Sequence, residues 1–253
     1  MPLPKMEALT FEKYIAEIDT KVKYRPFLHK EHKLILQAVE MQDEAAVANA
    51  IQSLIDTCTF NQLDVENLSS HITDYLFILI FSKSVGVTNT SSYQCNYNKV
   101  NDNGEIYPCN RKFGVKINFA DIEIMYPKNY DENRTVMLDK EAGVGMKLRV
   151  PSFRTMKELA KEQKNNNVVD IADKYIYNSI ECIFDSDNVY TPGSDFTFEE
   201  FVGWLENCTS TSIDKINGFF QSIPQIGLDL PIRCPCGENQ SVVELRGLDS
   251  FFG

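Results

Sequence analysis

Positive charge is scarce in this chain. Its 253 residues carry 25 Lys and Arg against 36 Asp and Glu, a formal net charge of −11, and no run of five basic residues occurs. Neutralising nucleic-acid phosphates takes a basic patch, and so does holding an anionic membrane surface. DNA, RNA and membranes are therefore not expected as partners. Long apolar runs are missing too: the longest, YLFILIF at 75–81, has seven residues, against roughly 20 for a spanning helix. The opening MPLPKMEALT has neither a basic nor an apolar segment, so no secretory signal is expected and the cytosol is the expected compartment. Catalytic signatures are lacking as well. There is no Gly-x-Ser-x-Gly elbow, phosphate loop or dinucleotide glycine pattern, and GVG at 143–145 is too short to count. No small-molecule substrate is implied. Repeats are absent, and the one biased tract is the polar run at 165–167.

What the chain does have is an ordinary globular composition, 43% apolar and 24% charged, which is enough to fold without covalent staples. Its seven cysteines are odd in number, and in a reducing compartment they are not a disulfide framework. Asn67, Asn89, Asn133, Asn207 and Asn239 match the glycosylation sequon, which without a secretory route is an accident of composition.

Hydrophobic periodicity gives the order of elements. FEKYIAEIDTKVKYRPF reads as two short strands about Asp19-Thr20, Val22 and Tyr24 alternating with Lys23 and Arg25, and Pro26 at a strand end. A helix is expected over 30–41, with Leu34, Ile35, Ala38 and Val39 at helical spacing. Asp43 caps the next, whose face carries Val47, Ile51, Leu54, Ile55 and Cys58. A third, over about 70–83, is apolar nearly all round, which predicts burial between neighbours, and it ends at Gly86. From 87 to 151 the texture is strands: a long hairpin over 91–119 with its tip at 101–104, an alternating strand holding Ile122 and Ile124, and a strand pair about Gly143 and Gly145. Helices return over 152–223. DIADKYIYNSIECIF spaces Ala172, Tyr175, Ile176, Ser179 and Ile183 along one face, with Cys182 close to it. Thr197 and Glu200 form a capping box with Phe196 and Phe201 at staple positions, and a helix with Ile213, Ile216, Phe220 and Ile223 stops at Pro224. The last 29 residues return to strand.

The chemistry is in the cysteines. Cys95 and Cys109 close the two ends of the hairpin CNYNKVNDNGEIYPC, and Cys234 and Cys236 lie in RCPCGENQ before a strand. Two cysteine pairs delivered by turns of antiparallel strands make a structural zinc ribbon, since Zn²⁺ takes four soft ligands in a tetrahedron. Cys-x-Cys is tighter than the common Cys-x2-Cys, and in a regular strand its thiols would point to opposite faces. Pro235 and Gly237 argue instead for a turn, where both sulfurs converge. The competing readings are four reduced thiols without metal, or a reactive dithiol, which lacks the basic surroundings that depress a thiol pKa. Four thiolates leave no open coordination position, so zinc here is structural. Cys58, Cys182 and Cys208 read as small core residues on helices. His29 and His32 fit no zinc-protease spacing and read as a solvated helix start, the alternative being a metal-dependent hydrolase.

Two stretches carry a family likeness. VKYRPFLHKEHKLILQAVE (22–40) and LIDTCTFNQLDVENLSSHITDYLFILIFSKSVG (54–86) resemble the T4-type bacteriophage baseplate family, which includes a baseplate hub subunit and a hub-assembly factor. The likeness runs over roughly the first 125 residues and touches LRGLDSFFG at the end, while 152–223 holds no matching motif. It implies a non-enzymatic role through contacts with other baseplate hub proteins, in the host cytoplasm during assembly and in the virion's tail baseplate. The candidate contact elements are Leu248, Phe251 and Phe252, with YRPFL at 24–28; for the tail, packing onto its own core is the favoured reading. It implies nothing about zinc. A zinc-ribbon adaptor in viral transcription or replication is the other function weighed. The expected fold is α+β: an N-terminal strand pair with helices (1–86), an antiparallel zinc-ribbon-like region (87–151 plus 225–253) and a helical insert (152–224).

Overall fold

Alternation at the N-terminus produces a hairpin with one buried edge. In the computed structural model, which describes residues 8–86, 88–101, 103–162, 168–237 and 240–252, β1 (Phe11–Ile15) pairs antiparallel with β2 (Thr20–Tyr24). Val22 and Tyr24 are buried, while Lys21 and Lys23 are exposed. Helices α1 (His29–Glu40), α2 (Glu44–Cys58) and α3 (Ser70–Ser84) follow. Asp43 caps α2, its Oδ1 accepting from the N–H groups of Ala45 and Ala46 at 3.0 and 3.4 Å. Of the apolar positions at helical spacing in α1, Ala38 is buried and Ile35 half-buried, but Leu34 and Val39 stand exposed, because α1 packs along one narrow face against α2.

Helix α3 holds the molecule together. One face, with Ile72, Leu76, Phe77 and Ile80, packs with Ile15, Val22, Tyr24, Ile55, Cys58 and Phe153 in a first core. Another, with Tyr75 and Ile78, packs with Ile117, Phe119, Ile122, Ile226, Leu245 and Phe251 in a further core. Its buried hydroxyls turn back on the helix: Ser82 Oγ donates to the Leu79 carbonyl at 2.9 Å. Gly86 follows with φ +112, as its place in the sequence predicts.

The strand region is a hairpin of two ladders. β3 (Thr88–Gln94) pairs with β6 (Lys112–Asn118), and beyond it β4 (Asn98–Val100) pairs with β5 (Ile106–Pro108). At the tip, Gly104 N–H donates to the Asn101 carbonyl at 2.9 Å; Asp102 of the expected turn lies outside the described residues. A 3-10 turn at Phe119–Asp121 replaces the start of the expected strand, leaving β7 (Glu123–Met125). After the one-turn helix α4 (Tyr130–Asn133) come β8 (Thr135–Asp139) and β9 (Val144–Leu148). Helices α5 (Phe153–Glu162) and α6 (Val168–Ser179) are next; the polar run at 165–167 lies outside the described residues.

Here two expectations are corrected. The helix expected to reach Ile183 stops at Ser179, and Ile180–Phe184 is strand β10, paired with β9 and with β11 (Val189–Tyr190). Ile-Glu-Cys-Ile-Phe is β-prone, and the ladder bonds offered by β9 outweigh helical spacing. The sheet β11-β10-β9-β8 also crosses the boundary drawn at residue 151. With α6, α7 (Phe198–Leu205) and α8 (Ser210–Gln221) it encloses a core of its own, built on Met146, Leu148, Ile180, Phe201 and Ile216. The expected helical insert is therefore mixed, and it takes β8 and β9 from the ribbon region. Helix α5 belongs with α2, since Phe153 sits in the first core and Lys157 pairs with Glu66 and Gln52. Gly145 in β9 is fixed by space, because a Cβ there would lie 2.5 Å from the Phe184 ring.

β12 (Gln225–Arg233) then pairs with both β13 (Gln240–Arg246) and β7. The chain ends in α9 (Asp249–Phe252), not in strand, with Phe251 buried in the α3 core and Leu248 packed beside it. The tail thus docks internally through Phe251, as the favoured reading has it; the Phe252 side chain lies outside the described residues. YRPFL is also largely consumed inside the chain. Tyr24 is buried, Arg25 pairs with Glu31 at 3.0 Å, and Phe27 N–H donates to Ser84 Oγ at 2.9 Å, leaving Leu28 exposed.

Two titratable groups one turn apart on α3 set a pH dependence. Burial lowers buried His71 from its ordinary 6.5 to about 4, against an opposing pull from Glu17; its Nδ1 has no hydrogen-bond partner among the described residues. Burial, and then the Asp249 carboxylate, push Asp74 from 3.8 up to about 7. The His71 contribution is intact above 6.5 and is lost as pH falls toward 4. The Asp74 contribution is intact below 3.8 and is lost as pH rises through 7. The two slopes oppose each other between. Replacing Asp74 with Asn is expected to raise the melting temperature by about 5 °C at pH 8 and by much less at pH 4. Calorimetry at both pH values checks this, and an equal change at each would contradict it.

Candidate metal centre

Strand register brings the first cysteine pair to one face. The ladders run from Gln94↔Lys112 to Asn98↔Pro108, so Cys95 stands opposite Arg111 and Cys109 opposite Tyr97. In an antiparallel pair these positions share a face, one diagonal step apart. Backbone bonds span the gap: Cys95 N–H donates to the Arg111 carbonyl at 2.9 Å and Cys109 N–H to that of Tyr97 at 2.8 Å, in register, while Asn110 N–H donates to the Cys95 carbonyl at 3.1 Å, one residue out of it. Asn110 takes a left-handed φ of 49°, which bends the returning strand there.

The second pair sits on a turn, as Pro235 and Gly237 predict. β12 ends at Arg233, and Gly237 N–H donates to the Cys234 carbonyl at 3.0 Å. Gly237 takes φ +86, a conformation glycine alone adopts without cost. The turn reverses the alternation that would have split the two thiols, and Cys236 N–H donates to Cys234 Sγ at 3.4 Å. An N–H aimed at sulfur favours the thiolate.

These two turns meet. The sulfurs of Cys95, Cys109, Cys234 and Cys236 all lie within 4.8 Å of one another. Tetrahedral zinc with Zn–S of about 2.3 Å sets its sulfurs about 3.8 Å apart, so the four need only a small contraction to fit. Cys95 and Cys234 are buried and Cys109 and Cys236 half-buried. Burial first, and then hydrogen bonds with the neighbouring thiols, push the Cys234 thiol up to about 12. A divalent cation inverts that balance, since it deprotonates the thiols it binds. The donor set therefore fits a soft divalent ion, and four sulfurs close its coordination sphere.

The remaining candidates are dispersed. His29 is exposed on the first turn of α1, and His32 lies against Phe27 with ring centroids 5.6 Å apart. Neither joins a metal-ligating cluster among the described residues. Cys58 is buried on α2 as expected, and burial raises its thiol to about 11. Cys182 is on strand β10 rather than a helix, and Cys208 follows α7 in a turn, its thiol donating to the Trp204 carbonyl at 3.8 Å. One concave site is unannounced by any motif: a cavity beside α7 walled by aromatic rings and two carboxylates, Asp185 and Glu200. Its signal in the sequence was the density of aromatic residues over 184–204, which helix capping and stapling alone do not use up.

Comparison with known proteins agrees with the likeness carried by YRPFL and YLFILIFSKSVG. The family described as the T4 bacteriophage base plate protein matches residues 6–253, so the match includes the segment at 152–223 that holds no recognisable motif. No curated protein and no solved structure matches the chain. A match over nearly the whole length assigns the chain, and it belongs to the T4 bacteriophage base plate protein family.

Proposed function

We propose that this baseplate protein is a non-enzymatic hub subunit or hub-assembly factor, working through contacts with other baseplate hub proteins, and that its four clustered cysteines hold a structural zinc ion. The observation that carries the functional reading is the family match across residues 6–253. An acidic chain that has no charge reason to seek nucleic acid is in keeping with a role by contact between proteins. The adaptor reading in transcription or replication lacks comparable support. The zinc reading rests on a different observation, the convergence of four sulfurs from two turns. Zinc bound there would act as a cross-link, tying the hairpin at 95–109 to the turn at 234–237. Assembly would take place in the host cytoplasm, with the tail baseplate as the final location.

Coexpression with individual hub proteins of the same phage tests the functional reading. At least one is expected to copurify with this chain through gel filtration, and failure of all of them to do so would overturn the hub assignment. The zinc reading predicts that Cys95→Ser lowers the melting temperature by about 6–12 °C while Cys182→Ser changes it by less than about 3 °C. Excess chelator is expected to bring the wild-type chain down to the Cys95→Ser value. A wild-type melting temperature unmoved by chelator would contradict the site.

A further inference from the structure

The cavity beside α7 has a volume of about 320 Å³. That is room for one side chain, at the small end of ligand pockets. Phe184, Tyr190, Phe196, Phe201 and Trp204 contribute its aromatic walls, and Asp185 and Glu200 are its two carboxylates. Both carboxylates are fixed from below. Asp185 Oδ1 accepts from the N–H groups of Asp187 and Asn188 at 2.8 Å each, and its Oδ2 accepts from Tyr190 Oη at 2.9 Å. Those bonds hold the Asp185 carboxyl below the usual carboxylate range. Glu200 accepts from Thr197 N–H at 2.8 Å through Oε2. Asn188 Nδ2 adds a further donor to Asp185 Oδ1 at 3.5 Å, which fills the roughly four lone-pair sites of that carboxylate, whereas Glu200 accepts from Thr197 and retains capacity for another donor. No lysine or arginine of the chain pairs with either one among the described residues.

We infer that this cavity is a socket for the side chain of an arginine presented by another protein. Aromatic faces attract a cation, and a planar guanidinium also stacks on them. The aliphatic stem of arginine lies along apolar walls while its head stays at the polar rim. A leucine or phenylalanine would cover the Glu200 carboxylate without giving it a further donor, which is unfavourable. Lysine offers a compact, strongly hydrated charge that does not stack. The net charge of −11 draws cationic segments toward the surface at long range. That the arginine belongs to another protein rests on the baseplate reading; the chemistry of the socket does not.

The chain contains one tryptophan, and Trp204 lines the socket, so its fluorescence reports occupancy. The probes are the blocked tripeptide acetyl-Gly-Arg-Gly-amide, its citrulline, lysine and leucine counterparts, and free arginine. The arginine peptide is expected to give a saturable change at about three- to fivefold lower concentration than the citrulline peptide, weakening as salt is added. Free arginine is expected to bind more weakly, because its α-carboxylate faces Asp185 and Glu200. Glu200→Gln keeps the capping bond to Thr197 and removes the charge, so it is expected to erase the preference for arginine over citrulline without lowering the melting temperature. Equal binding of arginine and citrulline, tighter binding of the leucine peptide or of free arginine, or no saturable change would each overturn the socket. None of these outcomes bears on whether a hub protein copurifies with the chain.

Discussion

The two-sided burial of α3 is the constraint on which the rest of the structure depends. A helix whose apolar residues run nearly all round cannot rest on a surface, and this one has a core on either side. Each fully buried isoleucine on it, Ile78 and Ile80 among them, contributes about 1.5–3 kcal/mol. The N-terminal hairpin and α2 cover one side. The other is covered by Ile117 from β6 and, more than a hundred residues later in sequence, by Ile226 from β12 and Leu245 from β13. Once both strand systems rest on the same helix, their far ends are delivered to one place, and there the four cysteines stand.

Beyond that meeting point the β4–β5 ladder has three residues a side and no core of its own. Val100 and Ile106, directly opposite each other, are exposed. A two-stranded hairpin of that length is at best marginal in water. Its base is held by the backbone bonds about Cys95 and Cys109, and a metal among the four sulfurs would anchor it to the β12–β13 turn. A zinc ion there would do locally what a hydrophobic core does elsewhere in the chain. The sheet beside α6–α8 has its own apolar interior and needs no such clamp.

Much of this was legible in the sequence, and the failures have a common cause. Local signals held: the Asp43 cap, the capping box of Thr197 and Glu200, the staple of Phe196 and Phe201 with rings 6.4 Å apart, and the turn at Cys234 to Gly237. Each is decided within four or five residues. The pairing of Cys95 and Cys109 with Cys234 and Cys236 was also readable, because cysteine spacing encodes a convergence that periodicity does not. What could not be read was decided by partners distant in sequence. Ile180–Phe184 is spaced for a helix but joins β9, and with it β8 and β9 pass to the core of α6–α8. The aromatic cavity has no motif, since its walls come from three strands, two loops and α7.

The central claim is that the meeting of Cys95, Cys109, Cys234 and Cys236 is a metal centre and not a group of idle thiols. Elemental analysis of the full chain, purified without added metal and paired with thiol titration under native conditions, tests it most directly. The account predicts about one zinc per chain, with those four cysteines protected from reagent until a chelator is added. A metal content near zero, with the four thiols reacting freely, would contradict it.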